Sequence, residues 1–347
     1  MIQTVGFYVP FHDPAFLDDW SVCETKPLGG SETAALRMAT ALREAGLQVK
    51  LASNIHQFQD GECDVFIAVR DWGIFVDHRL PGRLNYLWCH DDAGQYQMAV
   101  LRDKDLASQV YSPLARVMML SSYQATGWTS LLNLPVEKVF LTTNGVPRHL
   151  FSATPASLAD RPARAYYSST PYRGLDVLLD TWPYIRQAVP DAELLIYSSM
   201  NVYHKTDKPV YEELYTRARA LPGVTYVGSV GQKELRAAAQ TCRVLAYPCT
   251  FPETSCITAM EAMASGCVVA STAIGALPET AWQNPLVVPS QSNWPMVWAE
   301  TVARLLVDDA YYEAIARQNL ATSRLYDWNL VAQRWVTQFQ YDEITLL

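Results

Sequence analysis

Two carboxylates, Glu253 and Glu261, stand in the stretch FPETSCITAMEAMASG that runs from Phe251 to Gly266. Thr254 or Ser255 can cap a helix starting there, and Ile257, Met260 and Ala264 recur on one helical face. Unpaired N–H groups at such a helix start suit a diphosphate. A carboxylate just ahead of the start can accept hydrogen bonds from sugar hydroxyls on one side of that diphosphate. The second carboxylate, two turns down, can take the paired hydroxyls of a ribose on the other, so a nucleotide-sugar fits the order of the groups. Two glutamates at this spacing are ordinarily a solvated helix face, and the setting is what shifts the reading. Val244 to Pro248 reads as a buried strand running into the loop, and Gly266 to Ala270 as the next parallel strand. Such a unit puts the helix N-terminus at the carboxyl edge of a sheet, where open α/β folds bind ligands.

Three further groups carry chemistry. Arg173 precedes Gly174 at the start of a helix, where a guanidinium can neutralise a diphosphate and stabilise a departing nucleoside diphosphate. Gly29 and Gly30 lie between the first strand and a helix, where the missing Cβ lets backbone approach a ligand closely. His90 ends the apolar run Tyr86 to Cys89 and is followed by Asp91 and Asp92. A lone histidine at a strand end is ordinarily structural. With the two aspartates it mimics a metal site, but no second histidine stands nearby and no metal is expected.

These groups need a scaffold, and the apolar pattern supplies two alternations of strand and helix. In the first, strands are expected at 4–9, 47–52, 64–69, 83–88, 116–120 and 138–142. Helices lie between, at 33–45 after Ser31 as cap, near 97–106 and at 122–132. Residues 146–162, with three prolines, break the periodicity and read as a linker. The second alternation places strands at 165–168, 193–197, 224–227, 244–247, 267–270 and 286–288. Its helices fall at 174–188, 209–220, 231–240 and 254–264, followed by 293–307, 309–323 and 328–341. The expected fold is α/β: two Rossmann-like, doubly wound domains facing a central cleft. The expected boundaries are 1–150, 151–325 and a last helical segment, 326–347.

Composition narrows the partners. Half of the 347 residues are hydrophobic and 18% are charged, as in a globular chain. The net charge of −8, with no run of Lys or Arg, argues against nucleic acid, and the first 150 residues are acidic as well. Seven cysteines without a CxxC pair read as reduced core residues. Met1 leads straight into a strand without a leader-like segment, and no apolar run approaches the ~18 residues of a membrane span. A cytoplasmic protein without a strong membrane signal is expected.

The segment YPCTFPETSCITAMEAMASGCVVASTAIGALPET, residues 247–280, resembles the retaining glycosyltransferases of family 4, which have the GT-B fold. Supporting pieces are the Gly-Gly-Ser-Glu-Thr run from Gly29, Asn144-Gly145, Arg173-Gly174, Val227 to Leu235, and Trp328 in the last helix. The resemblance implies transfer of a sugar from a UDP- or GDP-sugar to a hydroxyl acceptor, with retention, without metal or cofactor; the nucleotide-sugar is a co-substrate. The acceptor, a saccharide, a lipid-linked or another hydroxyl compound, would be held by the N-terminal domain. Glu253 becomes a sugar ligand, His90 lies against the donor sugar, and Glu261 takes the ribose. Thr254, Ser255 and Cys256 offer amides to phosphate and sugar. The loop at Gly29 and Gly30 approaches the donor phosphate. Backbone groups of Ser229 and Val230 read the base edge, with Tyr247 and Pro248 flanking the same pocket; a plain strand-to-helix turn is the equal alternative. Gly275 to Glu279 resembles a structural motif of the family, and the last helix would cross back to the N-terminal domain.

One departure stands out. Ser168, Ser169 and Thr170 occupy the place of an expected Gly-Arg, and Arg173 that of a lysine. Either hydroxyls such as that of Ser169 suffice with Arg173, or Lys205, Lys208 or Arg148 contributes from elsewhere. The rival readings are a GT-B epimerase or phosphorylase, and a sugar-nucleotide-binding protein with impaired catalysis. Aromatics of the 11–20 loop with Trp72 and Phe75 read equally as an acceptor platform or as core.

Overall fold

A computed structural model describes residues 2–10, 14–76, 80–151, 158–203 and 206–347. The chain forms two compact units. Unit 1 comprises 1–22, 30–145 and 327–347; unit 2 comprises 23–29 and 146–326. Residues 146–151, expected to begin a linker, belong to unit 2, because Val146 and Phe151 are apolar and sit in its core.

Unit 1 carries β1 (Thr4–Tyr8), α1 (Gly30–Glu44), β2 (Gln48–Ala52), β3 (Cys63–Val69), β4 (Gly82–Trp88), α2 (Lys104–Tyr111), β5 (Arg116–Met119), α3 (Ser122–Leu131) and β6 (Val139–Leu141). Its strands form one parallel sheet in the order β2-β1-β3-β4-β5-β6. The central strands β3 and β4 are buried over nearly their whole length, as strands covered on both faces are. Two local expectations change. Helix α1 begins at Gly30, so Ser31 lies in its first turn rather than capping it. The helix expected near 97–106 is a 3₁₀ segment, Tyr96–Arg102, followed by α2, whose cap is Asp103 accepting from Leu106 N at 2.9 Å.

Unit 2 carries β7 (Arg164–Ser168), α4 (Leu175–Ala188), β8 (Glu193–Tyr197), α5 (Pro209–Ala220), β9 (Val224–Tyr226), α6 (Gln232–Ala239), β10 (Val244–Tyr247), α7 (Ile257–Ala264), β11 (Val268–Thr272), α8 (Leu277–Thr280), β12 (Leu286–Val287), α9 (Trp294–Val307) and α10 (Asp309–Thr322). Its sheet is parallel and runs β12-β11-β10-β7-β8-β9. Counted from β7, this is the Rossmann order, in which the chain reverses direction across the sheet between β7 and β10. The carboxyl ends of those two strands are therefore the place where a ligand is expected.

The last helix, α11 (Trp328–Leu346), belongs to unit 1 and packs on α1 and β4. Trp335 meets the ring of Trp88 edge-on at 4.7 Å and donates to Thr142 Oγ1 at 2.7 Å. Asp342, fully buried, accepts from Tyr86 Oη at 2.9 Å and from Arg116 Nη2 at 2.7 Å.

Candidate functional site

The reversal point of unit 2 gathers four of the residues singled out from the sequence. Tyr247 closes β10, Ser169 follows β7, Arg173 precedes α4 and Glu253 lies in the loop ahead of α7. Arg173 Nη1 donates to Glu253 Oε1 at 2.7 Å, and Tyr247 Oη donates to the same oxygen at 2.5 Å. Ser169 Oγ lies 3.4 Å from Tyr247 Oη. The guanidinium of Arg173 also sits over the rings of Phe251, at 4.5 Å, and Tyr172, at 5.6 Å. The sequence offers only one signal for these two aromatics, their closeness to Arg173 and Glu253 along the chain.

Local backbone explains how Glu253 is held. Gly174 has φ +96°, and a Cβ there would lie 2.0 Å from Pro248 O, so only glycine lets the start of α4 reach the end of β10. Gly275, at φ +60°, backs onto the main chain of Glu253, where a Cβ would lie 2.5 Å from its carbonyl oxygen. Ala276 N donates to that carbonyl at 2.7 Å. The Gly275 motif thus serves as the seat of the carboxylate.

The helix after it starts later than expected. Cys256, in extended conformation, is the N-cap residue of α7 and makes no side-chain cap hydrogen bond. Ser255 Oγ is enclosed without a hydrogen-bond partner among the described residues, and the cap position falls to Cys256 rather than to Thr254 or Ser255. Glu261 lies in the second turn of α7 and lines a small cavity with Tyr166, Arg236 and Thr258, in which Glu253 takes no part. Arg236 pairs with Glu24 of the 23–29 segment at 2.7 Å; nothing in the sequence linked these two. Ser229 and Val230 lie half-buried in the turn before α6.

Tyr247 departs from the expected role. Its side chain is fully buried, with its hydroxyl turned to Glu253, and presents no face to a nucleobase. Burial, followed by the charge of Glu253, pushes its phenol well above the ordinary range, so it stays a donor.

In unit 1, His90 follows β4 and packs against Trp88 with ring centroids 4.7 Å apart. Burial, followed by the Arg70 guanidinium, lowers its pKa to about 3, so the ring is neutral at ordinary pH. Arg70, at φ +66°, is bidentate on Asp91, at 2.6 and 2.9 Å, and Asp92 accepts from Gly94 N at 2.8 Å. Among the described residues no group of three metal-binding side chains converges. Gly29 ends the 23–29 segment of unit 2, while Gly30 opens α1 in unit 1.

Of the aromatic platform, Phe16 is buried, Phe75 is a core residue and Trp72 packs against the core that holds Phe75. Trp20 is half-buried under the Arg43 guanidinium, 4.7 Å from its ring. Phe11, His12 and Asp13, and the alternative cation Lys205, lie outside the described residues.

Comparison with known proteins bears on unit 2 first. Residues 163–308 match the model of a family described as glycosyl transferases group 1. This segment is similar to the group 1 glycosyl transferases. Glu253, Glu261, Arg173, Ser169 and Tyr247 all fall inside the matched segment. Two proteins named D-inositol 3-phosphate glycosyltransferase are similar in sequence. That of Nocardioides sp. strain JS614 is 27% identical over 113 residues, 33% of this chain and 24% of the relative. That of Corynebacterium glutamicum strain R is 26% identical over 167 residues, 47% of this chain and 39% of the relative. The matched stretches thus span well under half of either relative.

Solved structures match over nearly all of the chain. The Anabaena protein Alr3699/HepE, crystallised with UDP and glucose, superposes with a TM-score of 0.73 at 15% identity, covering 98% of this chain and 100% of that one. Sucrose-phosphate synthase from Thermosynechococcus elongatus gives 0.73 at 17% identity, covering 98% of each. What these proteins share with the chain is the GT-B fold. No helix among the described residues is long and apolar enough to cross a membrane.

Proposed function

We propose that this chain is a glycosyltransferase that moves a sugar from a nucleoside-diphosphate donor to a hydroxyl acceptor with retention of anomeric configuration. The observation that carries the reading is the fixed carboxylate of Glu253 at the reversal point of the matched segment, one helix start ahead of Glu261. Arg173 lies 2.7 Å from that carboxylate, which supports assigning the sugar to one of the two groups and the phosphate to the other. UDP leads among the nucleotides because the HepE structures hold UDP, glucose and UDP-glucose. In this reading Glu253 receives sugar hydroxyls, Glu261 the ribose, and Arg173 with the amides of 254–256 the diphosphate, without metal or cofactor. Ser169 adds a hydroxyl to the phosphate side, the turn at Ser229 and Val230 receives the base, and Gly29 and Gly30 approach the donor.

In this reading His90, neutral, is assigned to the donor sugar, and the acceptor, a saccharide, lipid-linked or other alcohol, to unit 1. The acceptor oxygen bonds to the anomeric carbon on the face that the phosphate leaves. The bond from that carbon to the phosphate oxygen breaks with its electron pair, and the same oxygen takes the acceptor's proton. The protein supplies positioning and electrostatic stabilisation. Seven buried thiols suit a reducing compartment, and we place the reaction in the cytoplasm.

The test pairs thermal-shift screening of UDP, GDP, ADP and their sugars with two substitutions, since a ligand of the native fold raises its melting point. Glu253→Ala abolishes transfer and leaves diphosphate affinity nearly intact, whereas Glu261→Ala weakens diphosphate binding. Equal, mild effects of the two changes overturn the assignment.

A further inference from the structure

We infer that Tyr247 is a positioning residue for Glu253, pinning one carboxylate oxygen so that the other is the one offered to the donor sugar. The inference rests on the reading of Glu253 as a sugar ligand. Tyr247 Oη and Arg173 Nη1 both donate to Oε1, at 2.5 and 2.7 Å. Among the described residues no hydrogen bond to Oε2 is found. The Glu253 side chain is 6% exposed. A carboxylate so enclosed needs donors, and two on one oxygen set its orientation while leaving the second oxygen's lone pairs for a ligand.

The two donors are not equivalent. Arg173 sits on a turn, its side chain is 20% exposed, and it is the group an incoming diphosphate attracts. Tyr247 is fully buried at the end of a central strand, paired through Tyr247 and Ser271 to β11, with its ring against that of Tyr167. Its hydroxyl has one short acceptor, Glu253, and cannot reach a phosphate without leaving the core. When Arg173 turns to the diphosphate, Tyr247 is the donor that stays. Glu253 then keeps its aim through the cycle although its ion-pair partner changes.

Calorimetry on the full chain tests this, with whichever of UDP-glucose, GDP-mannose and ADP-glucose stabilises the wild type most, and with the matching free diphosphate. Tyr247→Phe is expected to weaken the sugar-nucleotide about tenfold, as loss of one hydrogen bond to a charged group does, while diphosphate affinity stays within about twofold. A merely structural role would move both ligands together. Unchanged sugar-nucleotide affinity in Tyr247→Phe, with strong loss in Glu253→Ala, overturns this inference and leaves the proposed function standing. No loss in Glu253→Ala, or no response to any of the nucleotides, overturns the underlying reading and this inference with it. Should Tyr247→Phe not fold, the Glu253 carboxylate bands decide, isolated as the infrared difference between wild type and Glu253→Gln. Two donors on one oxygen split the antisymmetric and symmetric stretches widely; the bands of a solvated glutamate overturn the inference.

Discussion

Arg173 and Glu253 form an ion pair 2.7 Å long, with the carboxylate 6% and the guanidinium 20% exposed. The cost of breaking such a pair falls on the partner left behind in low dielectric. Arg173→Met is therefore expected to destabilise the chain by about 3 kcal/mol, and Glu253→Gln by less, because the amide oxygen still accepts from Tyr247. The double variant should cost less than the sum, with a coupling of at least about 1 kcal/mol in urea unfolding. Additive costs would mean that the pair contributes nothing as a pair.

Asp342 offers a second buried carboxylate, held by Arg116 and Tyr86 where α11 meets β4 and β5. Asp342→Asn should lower stability by about 3 kcal/mol, since it strands the Arg116 charge. The neighbouring Arg83–Glu343 pair spans 3.4 Å with the arginine side chain 47% exposed. Glu343→Gln is expected to cost under about 1 kcal/mol, as solvent-screened pairs do. Urea midpoints of the two variants separate these outcomes.

His90 makes stability depend on pH. Its folded pKa of about 3 lies below the ordinary 6.5, so the unfolded chain takes up the proton first. The stability contributed by the neutral ring is complete above pH 6.5 and falls as pH drops toward the folded value. Melting temperature should therefore decline from about pH 6.5 to 5, before carboxylates titrate, and His90→Asn should flatten that stretch. An unchanged slope in the variant would assign the decline to other groups.

Much of the architecture could be read from apolar runs and breakers. Strand β10, buried throughout, is continuous in hydrophobicity and bounded by Arg243 and Pro248. The start of α7 could not be read in this way. Thr254 and Ser255 are good caps by type, but the main chain of Glu253 is bound to Ala276 and backed by Gly275, distant in sequence. That tie keeps 253–256 out of the helix and passes the cap position to Cys256. Tyr247 illustrates a related ambiguity: a residue ending a strand can face a ligand or the core, and here its hydroxyl turns to Glu253. The Asp103 cap, by contrast, was present as a local signal and was overrun by the apolar spacing across it.

The tail of α11 has a consequence for synthesis. Unit 1 is completed only by residues 327–347, after all of unit 2 has been made. Until the ribosome delivers Trp335 and Asp342, the ring of Trp88 lacks its edge-on partner and Arg116 its counter-charge. The first half of the chain must therefore wait, partly uncovered, while the second half folds, which makes late translation the interval in which this protein most needs a chaperone.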